Sequence, residues 1–94
     1  MYVRVTRGRF NPDTEADVQL VSGEVAAAAR RLPGFQTYQG GLDRGAGRLV
    51  AITTWDTAEH ATALRNAIPE TVARLLGLGV QLEPAEIYQI TVRE

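Results

Sequence analysis

Two short stretches limit what this 94-residue chain can become. In Arg48–Thr54, Leu49 and Ala51 occupy one alternating set and Val50 and Ile52 the other; in Ile87–Val92, Ile87 stands against Tyr88, Ile90 and Val92. A strand with one wet face alternates apolar with polar residues. Here both sets are largely apolar, so both faces of the sheet are expected to be covered. A chain this short buries only roughly 60–65% of its unfolded surface, and its helices suffice for one face. The expectation is a second sheet on the other face, contributed by another copy: a homodimer through the helix-free sheet face.

The remaining elements follow from periodicity and punctuation. Val3 and Val5 alternate with Tyr2, Arg4 and Thr6, which predicts a first strand over Tyr2–Phe10. Asn11 and Pro12 suit the cap and first position of a helix, read as Asp13 to about Leu32, with Val18, Val21, Val25, Ala28, Ala29 and Leu32 along one stripe. Pro33-Gly34 stops it. Phe35–Leu42 and Arg48–Thr54 form a hairpin around Asp43–Gly47. Asp56 as N-cap with Glu59 three positions on predicts a second helix to about Ala67, broken before Pro69 and resumed over Glu70–Leu78. Val80–Val92 is the last strand, divided by Pro84 into a short arm and a main part, Ile87–Val92.

Strand, helix, strand, strand, helix, strand is the split pattern of a ferredoxin-like α+β fold, a four-stranded antiparallel sheet with helices on one face. No linker or shift in composition divides the chain, so residues 1–94 are read as a single domain.

Composition removes several chemistries. There is no cysteine, hence no thiolate nucleophile or Cys-ligated metal. All ten basic residues are arginine, which excludes lysine Schiff bases. Eleven acids offset them to a net charge of −1, leaving no basic field for nucleic acid or anionic membranes. The third strand lacks the aromatics of an RNA-binding sheet, and the only serine, Ser22, lies within the first helix without a nucleophile elbow. One histidine cannot build a multi-histidine metal site. Met1–Arg7 lacks the apolar run of a signal peptide, and nothing approaches the ~20 apolar residues of a membrane span. The expectation is a soluble cytoplasmic protein.

Leu32-Pro33-Gly34-Phe35-Gln36-Thr37-Tyr38, the glycine-containing turn and Thr53-Thr54-Trp55-Asp56-Thr57-Ala58-Glu59-His60-Ala61 resemble the antibiotic-biosynthesis-monooxygenase-like family, of the dimeric α/β barrel superfamily. The resemblance spans essentially the whole chain in the order and spacing of its elements. It implies two ferredoxin-like subunits packed sheet to sheet, often with exchange of C-terminal strand segments. It also implies a pocket between each sheet and its own helices. The chemistries it implies are cofactor-independent oxygenation of polyketide anthrones and quinols, haem degradation, and small isomerase or degradative reactions. The haem-degrading relatives place a histidine deeper in the second helix and an asparagine on the first strand. Here Arg65 and Asn66 occupy that stretch and no asparagine precedes Asn11, so haem degradation is not expected.

The candidate site residues each have two readings. Trp55 either lines the pocket against a planar substrate or fills the core, packing as a staple on His60. His60 is either the base that takes a phenolic proton or a first-turn residue resting on Trp55. Tyr38 serves the pocket, the dimer face or simple packing; Arg65 and Asn66 either hold an anionic substrate near the Pro69 break or lie exposed. Arg7 and Arg9 share the Val3/Val5 face and Arg4 the opposite one, all three being candidates for pairs across an interface. Glu83 and Glu86, flanking Pro84, are expected to be solvated.

Two functions follow. One is a small dimeric monooxygenase, free of cofactor and metal, acting on an aromatic or quinol-type molecule. The other is a non-catalytic dimeric binding module of the same fold. An open, polar-lined cavity beneath the helices favours the first; a cavity filled by Trp55, Leu64, Val72 and Leu75 sinks it.

Overall fold

The alternation of Val3 and Val5 with Tyr2, Arg4 and Thr6 produces β1 (Tyr2–Arg9), the central strand of the computed structural model, which describes residues 1–94. β2 (Phe35–Asp43) and β3 (Arg48–Trp55) form the expected hairpin. β3 lies antiparallel along the whole of β1, from Tyr2 opposite Trp55 to Arg9 opposite Arg48. The other edge of β1 carries two short strands, β4 (Gln81–Leu82) and β5 (Glu86–Gln89). The sheet is therefore ferredoxin-like in order but has five strands rather than four, because the last strand is split.

The split has a local cause. The Glu83 amide still donates to the Arg7 carbonyl at 2.8 Å, but Pro84 has no amide hydrogen to continue the ladder. β5 ends at Gln89, short of Val92, with one further bond from the Ile90 amide to the Met1 carbonyl at 2.9 Å.

Two helix starts differ from the sequence reading. The Asn11 side chain accepts from the Asp13 amide, and Pro12–Thr14 form a single 3-10 turn before α1 (Glu15–Ala29) begins. At α2 (Ala58–Ala67) the cap is Thr57, whose hydroxyl accepts from the His60 amide at 3.2 Å, and not Asp56. Either residue can cap; Thr57 does so because Asp56 is turned to the His60 ring. Moving the cap by one residue removes the Trp55–His60 staple. Trp55 packs edge-on against Phe35 instead, with centroids 5.7 Å apart. α3 (Pro69–Gly77) follows after Ile68, as the Pro69 break requires.

The register assigns each residue to a face. Tyr2, Arg4 and Thr6 point to the helices with Leu49, Ala51, Thr53 and Trp55. The α1 stripe of Val18, Val21, Val25 and Ala29 closes on them with Ala61, Leu64, Ile68 and Leu75 from the other helices. Val3, Val5, Val50, Ile52 and Tyr88 lie on the opposite face, half-buried or exposed. No helix of the chain is long and apolar enough to cross a membrane.

Candidate functional site

Beneath the helices the core does not close. A cavity of about 450 Å³ separates the helix side of β1–β3 from α1, α2 and α3. Its size falls within the roughly 300–1,000 Å³ of small-molecule sites. Val25, Leu64, Ile68, Val72 and Leu75 form the apolar part of its wall, and Trp55 is packed away behind it. Small residues on the strands, Gly40 and Ala51, leave the floor low where larger side chains would fill the space. The space is open and carries polar groups.

Arg4 is the least expected of these groups. It is only 7% exposed, although it carries a full charge. Its Nη1 donates to the Ala61 carbonyl at 2.8 Å and to the Thr62 carbonyl at 3.4 Å, tying β1 to α2. Its Nε has no partner, and no carboxylate pairs with it. Burial, and after it the nearby Arg65 guanidinium, lowers the Arg4 pKa from its ordinary value. Arg65 stands on the same cavity wall.

Tyr38 also lines the cavity, and burial raises the pKa of its phenol, so at neutral pH it is an uncharged hydroxyl. Thr53, 1% exposed, accepts the Trp55 indole N–H at 2.7 Å. Arg44, at the rim, is held by Glu15 at 2.8 Å, which leaves Glu83 as the carboxylate of the wall.

The sequence candidates therefore divide. Tyr38 and Arg65 come together on the cavity wall. Trp55 is fully buried, outside the lining, with its one donor already used. Asn66 is exposed on α2 and does not face the cavity. His60 also lies outside it, with Nδ1 2.6 Å from Asp56 Oδ1. The hydrogen bond from His60 is the main reason the Asp56 carboxyl sits below the usual range. This pair leans on Gly34, whose φ of +80° already favours glycine; a Cβ there would fall 2.0 Å from Asp56 Oδ1 and 2.3 Å from His60 Nδ1. The Asp56 amide donates to the Gly34 carbonyl at 3.0 Å, so the cluster clamps the Pro33-Gly34 turn to the start of α2.

Arg4 was legible only in part. Its parity sets it opposite Arg7 and Arg9, toward the helices, but nothing local announces that it is buried without a carboxylate. Glu86, expected to be solvated, accepts from Tyr88 Oη at 2.6 Å and pairs with Arg7. That pairing also accounts for Arg7 within the chain. Nowhere does the fold gather three or more His, Cys, Asp or Glu side chains.

Fold and cavity together define a ferredoxin-like α+β chain with an open cavity between its sheet and its helices. Among solved structures this is the fold of the antibiotic biosynthesis monooxygenases. A protein of Deinococcus radiodurans, provisionally named as one, superposes with a TM-score of 0.83 over 100% of this chain and 96% of its own, at 16% identity. SnoaB of Streptomyces nogalater, a cofactor-independent oxygenase, gives 0.74 over 98% and 94%, at 20% identity. A third, from Nitrosomonas europaea and named like the first, gives 0.77 over 96% and 89%, at 16% identity. Identities this low carry the fold alone. No family model matches the sequence, and no curated protein does so at a significant level.

Proposed function

We propose that the chain is a small dimeric oxygenase that binds an aromatic or quinol-type molecule in the cavity and lets it react directly with O₂. The observation that carries this reading is the open cavity of about 450 Å³, apolar on its helix side and polar at one end, in a fold shared with a cofactor-independent oxygenase. The dimer is supported by the apolar set Val3, Val5, Val50, Ile52 and Tyr88, which the chain leaves uncovered; Tyr88 is 55% exposed.

The reaction balances without a protein nucleophile. A phenol with a free para C–H loses its hydroxyl proton to solvent through the open mouth. The phenolate supplies four electrons to O₂, one oxygen atom becoming the quinone carbonyl and the other leaving as hydroxide. The released proton converts hydroxide to water. What the protein contributes is an apolar wall that keeps water from the intermediates, the uncharged Tyr38 hydroxyl as a donor to the oxyanion, and a positive end at Arg4 and Arg65 that orients an anionic ligand. His60, tied to Asp56 away from the cavity, takes no part.

Oxygen uptake with a panel of dihydroxyaromatics tests the reading, for the wild type, Val72→Trp and His60→Ala. Uptake above a protein-free control is expected, lost when Val72→Trp fills the cavity and retained in His60→Ala. Uptake equal to the control removes the oxygenase. If Val72→Trp then still abolishes ligand binding, the protein is the binding module. Loss of uptake in a folded His60→Ala returns the base role to the imidazole.

A further inference from the structure

We infer that the ligand of this cavity is an organic carboxylate on an apolar ring body, with its charge seated on Arg4 and Arg65. The inference rests on the reading of the cavity as a ligand site and names the class of molecule that the site takes.

A guanidinium that is more than nine-tenths buried needs a counter-charge, because the interior solvates it poorly. The chain provides none. Its ion pairs join Arg7 to Glu86, Arg44 to Glu15, Arg48 to Asp43, His60 to Asp56 and Arg74 to Glu24, leaving Arg4 and Arg65 out. Glu83, the carboxylate on the cavity wall, is anchored beside Arg7, three residues along β1. That is roughly 10 Å from Arg4 at the strand rise of about 3.3 Å per residue. The second charge at this end of the cavity is positive as well, so the two guanidiniums raise each other's need for an anion.

The donor pattern specifies the anion. Nη1 is committed to the Ala61 and Thr62 carbonyls, which fixes the plane of the guanidinium. Nε has no partner but is sealed from the cavity, so Nη2, which makes no hydrogen bond, is the donor left for a ligand. Nη2 and the guanidinium of Arg65 on the same wall make a pair of charged donors, matched to the two oxygens of a carboxylate. A phenolate presents one oxygen and would satisfy only half of it. The remainder of the wall, Leu64, Ile68, Val72 and Leu75, requires an apolar body. In the proposed reaction the carboxylate anchors the ring while the phenol is oxidised.

Calorimetric titration with 2-naphthoate and its neutral isostere 2-naphthamide tests this, on the wild type, Arg4→Met and Arg65→Gln, each checked for folding by circular dichroism. The wild type should bind the acid at least ten-fold more tightly than the amide. Arg4→Met should bring the two within about two-fold while keeping its affinity for the amide. Arg65→Gln, changed at an exposed position, should reduce the ratio several-fold, and it decides the matter should Arg4→Met fail to fold. Equal wild-type affinities overturn the carboxylate inference and leave the cavity a ligand site. Persistence of the preference in Arg4→Met, or in Arg65→Gln where that variant decides, also overturns it. If neither probe binds, the ligand-site reading falls and takes this inference with it.

Discussion

Replacing Arg4 with methionine should make the ligand-free protein more stable. Arg4 is 7% exposed and unpaired, and holding an uncompensated charge in an interior costs about 3 kcal/mol. Against this stands one well-formed bond, Nη1 to the Ala61 carbonyl at 2.8 Å, and a charged hydrogen bond contributes about 2 kcal/mol. The 3.4 Å contact to Thr62 adds little. Neither carbonyl is orphaned by the change, since both lie inside α2 (Ala58–Ala67) and keep the helical amides four residues on. Methionine retains an apolar stem of similar length against the same wall. The balance is a gain of about 1 kcal/mol, or a rise in Tm of about 4–8 °C for a domain this small. Urea unfolding with an unchanged slope, alongside calorimetry, measures it. A loss of 1 kcal/mol or more would refute the reasoning, and Arg4 would then be a pin between β1 and α2 rather than a charge awaiting an anion.

Further outcomes follow from the same geometry. Ile52 faces Val5 across the helix-free side of the sheet, so on the proposed dimer Ile52→Asp should yield a folded monomer by light scattering; a wild type that is itself monomeric at tens of micromolar would sink the dimer. Trp55→Ala removes a fully buried indole and should cost about 3–5 kcal/mol in urea unfolding, whereas a loss below 1 kcal/mol would show that the core can collapse around it. The folded-state pKa of Asp56 is depressed, chiefly by the hydrogen bond from His60, so its contribution is present above the ordinary carboxylate value and lost as pH falls below about 4. The wild type should therefore lose stability more steeply than Asp56→Asn between pH 5 and pH 3; parallel urea midpoints across that range would contradict the assignment.

The elements were readable because their signals are local. The two-residue period of β1, the Val18–Val21–Val25–Ala29 stripe of α1 and the Pro33-Gly34 stop each depend on neighbours a few residues apart. Where local signals compete, the order of residues alone does not decide. Asp56 and Thr57 are both good caps, and only the His60 ring, with the glycine turn packed beneath the pair, shows which of them is free to cap. The last strand was expected to run on to Val92, yet it pairs with β1 only from Glu86 opposite Val5 to Gln89 opposite Tyr2, a register that its own residues do not announce.

Composition and spacing established an α+β chain of ferredoxin-like order, with no thiol or lysine chemistry and a sheet apolar on both faces. They brought Tyr38 and Arg65 forward, and both stand on the cavity wall. They also brought forward Trp55, His60 and Asn66, residue types that chemistry favours but that the fold directs into the core, the turn clamp and the outer surface of α2. The cavity itself and the charge within it belong to tertiary structure. Arg4 acquires its meaning from Ala61, 57 residues away, and from the absence of any carboxylate among the side chains packed around it. Periodicity reports which way a side chain points. Whether a counter-charge waits there is set by contacts between segments far apart in the chain, and only the folded molecule brings those segments together.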